Sequence, residues 1–235
     1  MIEIIPAILP LDFEELREKI AIVAGSVSLV QIDVCDGIFV PRKSWPYVSH
    51  NPDGDFQNIL LEKQGFPFWD KAGFEVDLMV SKPEEKVDDW IAAGAARLIV
   101  HIESTDNLSR IIDDFRNRFP LSSESLASVE IGVAIGIGTD LSRLTPYLDI
   151  IDYVQCMGIS QIGYQGQPFD NRVINIVAEL RERSPETIIS VDGGVNAETA
   201  PRLLAAGANR LVVGSAIFES TNPLETIKTF QNLRV

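Results

Sequence analysis

The chain is poor in positive charge, sulfur and histidine: 20 lysines and arginines stand against 34 acids, with two cysteines and two histidines in 235 residues. A formal charge of -14 and a pI of about 4.5 would repel nucleic acid and anionic membranes over most of the surface. Cys35 and Cys156 sit in separate apolar, strand-like runs without metal-ligand spacing, so buried reduced thiols are expected rather than a disulfide. No apolar run is long enough to span a bilayer, and the N-terminus lacks a basic region followed by an apolar one. A soluble, cytoplasmic protein is expected.

What is present points to a large core. Hydrophobic residues make up 46%, and 16 glycines and 13 prolines supply tight turns. The length suits one α/β barrel better than two ordinary modules, so a single domain over 1–235 is expected. A phosphorylated small molecule remains compatible with the acidic balance, because backbone amides bind phosphate locally.

Along the chain, short apolar runs rich in β-branched residues alternate with amphipathic segments, the pattern of βα units around a parallel sheet. The expected strands are Ile2 to Leu9, Leu29 to Val34, Phe74 to Met79, Arg97 to His101, Glu130 to Ile135, Ile150 to Met157, Thr187 to Val191 and Arg210 to Val213. Helices are expected between them, including Phe13 to Ala24 capped by Asp12, and Asp140 to Tyr147. The second connection, Pro41 to Ala72, is unusually long and aromatic, with a turn at Asn51-Pro52-Asp53-Gly54 and a short helix near Phe56 to Glu62. It reads either as a packed lid or oligomer contact, which makes a homodimer plausible, or as an insertion that only covers one end of the fold.

An internal echo supports eight units. Ala92-Ala93-Gly94-Ala95-Ala96-Arg97-Leu98-Ile99-Val100 parallels Ala205-Ala206-Gly207-Ala208-Asn209-Arg210-Leu211-Val212-Val213, four units apart. A closed (β/α)₈ TIM barrel is therefore expected over an open sheet.

In such a barrel the reactive groups lie at the C-terminal ends of the strands. Those ends carry Asp33, Asp36, Asp77, His101, Glu103, Met157, Asp192 and Gly214-Ser215. Asp33, Asp77 and Asp192 would converge on one mouth, and like charges so close call for a cation or shifted pKa values. A metal or acid/base role is thus favoured over a structural one. Glycines cluster after the last three strands, at Gly163-Tyr164-Gln165-Gly166-Gln167, Gly193-Gly194 and Gly214, where barrels commonly hold phosphate on backbone amides.

These stretches resemble the ribulose-phosphate 3-epimerase family over most of the chain. Pro6-Ala7-Ile8-Leu9 is similar to that family's Pro-Ser-Ile-Leu, and Asp33-Val34-Cys35-Asp36-Gly37-Ile38-Phe39-Val40-Pro41 to its Asp-Val-Met-Asp-Gly-His-Phe-Val-Pro. Asp77-Leu78-Met79-Val80 resembles its His-Leu-Met-Val, and the glycine segment 163–167 its Gly-Phe-Gly-Gly-Gln. Val191-Asp192-Gly193-Gly194-Val195-Asn196 and Gly214-Ser215-Ala216-Ile217-Phe218 match closely.

The resemblance implies a metal-assisted proton transfer at the carbon beside a ketose carbonyl, through an enediolate. Asp33 and Asp192 would be the acid/base pair. Gly166, Gly193, Gly194, Gly214 and Ser215 would hold the phosphate, and Met79 and Met157 would line the pocket. The ligand, on this reading, is a phosphorylated sugar; no organic cofactor is expected.

The departures bear on the metal. Gln31 and Asp77 stand where the family has two histidine ligands, Ala7 replaces a substrate-facing serine, Cys35 a methionine and Ile38 a histidine, and the loop after strand six holds one extra residue. The set Gln31, Asp33, Asp77 and Asp192 is all oxygen, which suits Mg²⁺ or Mn²⁺ better than Zn²⁺. Two readings stay open: a sugar-phosphate epimerase with an altered metal site, favoured by retention of both acid/base aspartates, and a catalytically inactive phosphate-binding relative, favoured by loss of both histidines. A decarboxylase or aldolase is weakened because strand two has no lysine among its acids.

Overall fold

The computed structural model describes residues 2–48, 54–121 and 129–234. Eight parallel strands close into a barrel in chain order, β1 Glu3–Ile8, β2 Leu29–Cys35, β3 Gly73–Met79, β4 Arg97–His101, β5 Glu130–Ile135, β6 Tyr153–Met157, β7 Ile188–Asp192 and β8 Arg210–Val213. Closure comes from β1 pairing with β8 in register Glu3 with Arg210 through Pro6 with Val213. The helices are α1 Phe13–Val23, α2 Gly54–Leu60, α3 Val87–Ala92, α4 Leu108–Arg118, α5 Arg172–Arg183, α6 Thr199–Ala206, α7 Ser215–Phe218 and α8 Pro223–Gln231. Among the described residues no helix is long and apolar enough to cross a membrane.

Local sequence explains where these helices begin and which face they bury. Asp12 accepts a hydrogen bond from the Glu15 amide at 2.8 Å while Glu15 accepts one from the Leu11 amide at 2.7 Å, a reciprocal cap that starts α1. Leu16, Ile20 and Val23, spaced four and three apart, then form its buried stripe. Gly25, at φ +82°, makes the turn that ends this segment. In α4 the stripe is Leu108, Ile111, Ile112 and Phe115.

Most of the apolar core lies outside the barrel wall, between strands and helices. The strand positions that point inward are different. They include small apolar groups, such as Ile5, Ala7, Leu29 and Val212, but also buried Gln31, Asp33, Glu75, Asp77, His101, Gln155, Ser190 and Arg210. Successive side chains along a strand alternate faces, so one sequence supplies an apolar outer wall and a polar interior.

Two expectations need correction. The aromatics of 41–72 form no lid: Trp45, Phe56 and Phe66 are buried against the outer wall, Trp45 meeting Phe13, Phe56 and Trp90 at ring separations of 5.4–5.9 Å and Phe66 stacking on Phe74 at 3.9 Å. The segment supplies α2, the helix between β2 and β3, so its apolar groups serve the core. Trp69, 72% exposed, is the one strongly exposed aromatic there among the described residues. The turn at Asn51-Pro52-Asp53-Gly54 lies outside the described residues except for Gly54, which begins α2.

The helix expected over Asp140 to Tyr147 is only a 3₁₀ turn, Leu141–Arg143, capped by Asp140. Pro146 and the Thr145-Pro146 step disfavour a continuing α-helix, because the residue before proline is pushed toward extended backbone. The short helix α7 was not anticipated; it follows β8 directly and starts at Ser215.

Candidate active site

β2, β3 and β7 set the carboxylates. Asp33 and Asp77 are register partners on adjacent strands, and Asp192 ends β7. One oxygen from each of the three lies within 4.8 Å of the others, a grouping able to hold a metal ion. Asp33 is 6% exposed and Asp77 fully buried.

Gln31, two residues before Asp33 and on the same face, spans the group. Its Nε2 donates to Asp33 Oδ1 at 2.8 Å and to Asp192 Oδ2 at 2.9 Å, while its Oε1 is buried without a partner. Asp77 is held from the other side: His101 Nε2 lies 2.9 Å from Oδ1, and Gln155 Nε2 donates to Oδ2 at 3.1 Å. Among the described residues no lysine or arginine pairs with these three carboxylates.

That shortage of positive charge sets the electrostatics. Burial, then the charges of Asp192 and Asp77, push Asp33 well above the usual carboxylate range despite the Gln31 hydrogen bond. Asp192 is pushed up to about 7 by burial and by Asp77, opposed by Gln31 and His101. Burial drives His101 downward, but the charge and hydrogen bond of Asp77, backed by Glu103 and Asp192, outweigh it and raise the imidazole. Asp77 therefore favours the protonated form of His101.

Above these groups lies one cavity. Its wall brings together Asp33, Asp192, Met79, Met157, Gly166, Gly193, Gly194, Gly214 and Ser215, every predicted site residue except Gln31 and Asp77, which lie beneath it. Gly194, at φ +67°, could carry no side chain, since a Cβ would fall 2.8 Å from the Phe169 Cα. Gly158 lets β6 and β7 close up, its amide donating to the Asp192 carbonyl at 2.6 Å.

Asp36 stands apart from this centre, and Glu103 meets it only at its edge, 4.0 Å from His101 Nδ1. Asp36 accepts from the amides of Ile38, Phe39 and Ser81, which ties the turn after β2 to the end of β3. Glu103 accepts from the Gly136 amide and the Thr139 hydroxyl and braces the loop after β5. Cys35 and Cys156 are both buried and free, as expected.

Sequence reasoning missed Gln155 as a partner of Asp77, although it stands two residues before Met157 on the inward face and could have been found from that spacing. It also gave Gln165 no role. That side chain reaches the Ala7 carbonyl 158 residues away, a contact without local signal.

A parallel barrel with carboxylates at its mouth and glycines after its last three strands defines a class, the phosphate-binding acid/base barrels. Within that class the chain belongs to the ribulose-phosphate 3 epimerase family, whose model matches residues 3–218. It is 32% identical over 221 residues to a ribulose-phosphate 3-epimerase of Treponema pallidum, covering 92% of this chain and 91% of that protein. It is 31% identical over 233 residues to the Bacillus subtilis protein of the same name, covering 97% of each. In fold it resembles the 3-hexulose-6-phosphate synthase structure from Salmonella typhimurium, with a TM-score of 0.66 at 18% identity over 97% of this chain and 96% of that one.

Proposed function

We propose that this protein is a sugar-phosphate epimerase that inverts C3 of ribulose 5-phosphate. The observation that carries the reading is the pair Asp33 and Asp192, joined through Gln31 Nε2 and lining the same cavity as the glycines. The phosphate would rest on backbone amides around Gly166, Gly193, Gly194, Gly214 and Ser215, which places the sugar carbons over the carboxylates. One carboxylate then takes the C3 proton, the C–H electrons move to form the C2–C3 double bond, and the C2 oxygen carries the resulting charge. The other carboxylate returns a proton to the opposite face.

Such a pair must hold one proton between its two members. Asp192, pushed up to about 7, and Asp33, raised well above the ordinary carboxylate range by burial and by its acidic neighbours, favour a shared proton, where two carboxylates at ordinary values would both be ionised. The environment, not the residue type, separates acid from base.

The donor set also fits a hard divalent cation. Asp33, Asp77, Asp192 and the unpartnered Gln31 Oε1 offer only oxygen, which favours Mg²⁺ or Mn²⁺ over Zn²⁺. When bound, such an ion would supply positive charge for the enediolate oxygens. Calorimetry with Mn²⁺ should show binding weakened at least tenfold by Asp77→Asn; no binding by the parent protein would remove the ion from the reading. The inactive alternative draws only on the missing histidines, and Gln31 and Asp77 answer it by leaving the site furnished with ligands.

The reaction itself is tested by incubating the protein with ribulose 5-phosphate and Mn²⁺ in D₂O. Deuterium is expected at C3 by NMR together with the C3 epimer. An unlabelled, unchanged substrate would exclude the activity.

A further inference from the structure

On the reading of the glycine segments as a phosphate cradle, the cavity takes a dianion with no cationic side chain to meet it. Among the described residues neither lysine nor arginine lines the cavity, and its only side-chain nitrogen donors are Gln165 and Gln167. Gln165 stands where the family motif quoted above has glycine, and Ala7 where it has serine. Gln165 Nε2 donates to the Ala7 carbonyl at 3.0 Å, drawing the loop after β6 across to the end of β1.

The same amide lies against the glycine that opens α7. A Cβ on Gly214 would fall 3.0 Å from Gln165 Nε2 and 3.4 Å from the Ala7 carbonyl oxygen, so both groups crowd that backbone. Gln165 thus lines the cavity beside Gly214 and Ser215 while its amide is engaged by the end of β1. A ligand oxygen that takes up the Gln165 Nε2–H competes with the Ala7 carbonyl for it.

We propose that Gln165 is a specificity-determining latch for the phosphate end of the substrate. In the free protein its Nε2–H is held by the Ala7 carbonyl; on binding it passes to a phosphate oxygen beside Gly214 and Ser215. A neutral carbonyl acceptor is exchanged for a charged one, which makes the stronger hydrogen bond. The latch therefore opens for a phosphorylated ligand and stays shut against the same sugar without its phosphate. This rests on the reading of the glycine segments as a phosphate cradle.

The test is titration calorimetry with inorganic phosphate on the parent protein, Gln165→Ala and Gln165→Glu, with circular dichroism to confirm that each variant is folded. Gln165→Ala should bind phosphate about tenfold more weakly, the loss expected for one charge-assisted hydrogen bond. Gln165→Glu should bind none detectably, because it turns a carboxylate toward the anion. With ribulose 5-phosphate as substrate, Gln165→Ala should raise KM about tenfold and leave kcat within about threefold.

Phosphate binding within twofold of the parent in both variants would overturn the role of Gln165 while leaving the cradle intact. Tighter binding by Gln165→Ala would overturn it too, marking the side chain as a plug alone. No phosphate binding by the parent protein would remove the cradle and the latch together. None of these binding readouts depends on whether the protein epimerises anything.

Discussion

The barrel interior holds two layers of charge built in opposite ways. At the N-terminal ends of the strands, Glu3, Glu75 and Glu130 surround Arg97 and Arg210: Arg97 pairs with all three acids at 2.9–3.4 Å, and Arg210 with Glu3 and Glu130 at 2.9 and 3.3 Å. Burial, against the pull of both arginines, pushes Glu75 up to about 8, so at neutral pH it keeps its proton and three acids balance two cations. At the C-terminal ends, Asp33, Asp77 and Asp192 meet amides and one imidazole, with no lysine or arginine beside them among the described residues. The first layer sets its acids against guanidinium groups, and the second sets three carboxylates against one another. Closely spaced carboxylates in a buried layer are a cost to folding, retained where chemistry or a cation uses them.

The largest effects should separate the layers cleanly. Asp33→Asn and Asp192→Asn are each expected to lower kcat by about 10³-fold or more, within the range for loss of a positioned acid or base. The melting temperature should hold or rise, because repulsion is relieved. Arg97→Met should do the reverse: stability falls by about 3–5 kcal/mol, as when one partner of a buried ion network is removed, while kcat of the folded fraction is unchanged. Denaturant titration and steady-state kinetics on the same three variants check both halves.

A finer contrast comes from pH. The folded protein holds the Glu75 proton up to about 8, whereas the unfolded chain releases it in the ordinary glutamate range. Stability from this group is therefore complete at acid pH and lost as pH rises through about 8. Glu75→Gln removes that dependence, so the variant should gain on the parent protein by up to a few kcal/mol between pH 5 and pH 9, read from denaturation midpoints. An unchanged difference across that range would show that Glu75 is ionised throughout.

The lower layer was written into the sequence more openly than it was read. Arg97 and Arg210 are the equivalent arginines of the internal echo, and each opens its strand, β4 and β8. The echo identified eight units but not the ionic purpose of the arginine, because pairing with Glu3, Glu75 and Glu130 depends on the barrel register. The strands were legible because their apolar runs are short and β-branched. The connections were less so: burial of Trp45 and Phe56 is settled by contacts with Phe13 and Trp90 from distant segments.

The upper layer was legible where a strand end coincides with an acid, as at Asp33, Asp77 and Asp192. It was opaque where an amide does the work. Glutamine carries no charge to mark it, and Gln31, Gln155 and Gln165 take their meaning from partners on other strands and loops. Gln31 is the plainest case: from sequence it is an oxygen donor standing where the family has a histidine, and in the fold its amide nitrogen bridges Asp33 and Asp192.

Solvent exchange by the two single variants decides whether Asp33 and Asp192 act as an opposed pair of proton carriers. In D₂O, Asp33→Asn should place deuterium at C3 of one epimer of the ketose phosphate and Asp192→Asn at C3 of the other, with neither variant interconverting the two. Labelling of both epimers by one variant and of neither by its counterpart would contradict the opposed pair and leave a single base at the mouth of the barrel.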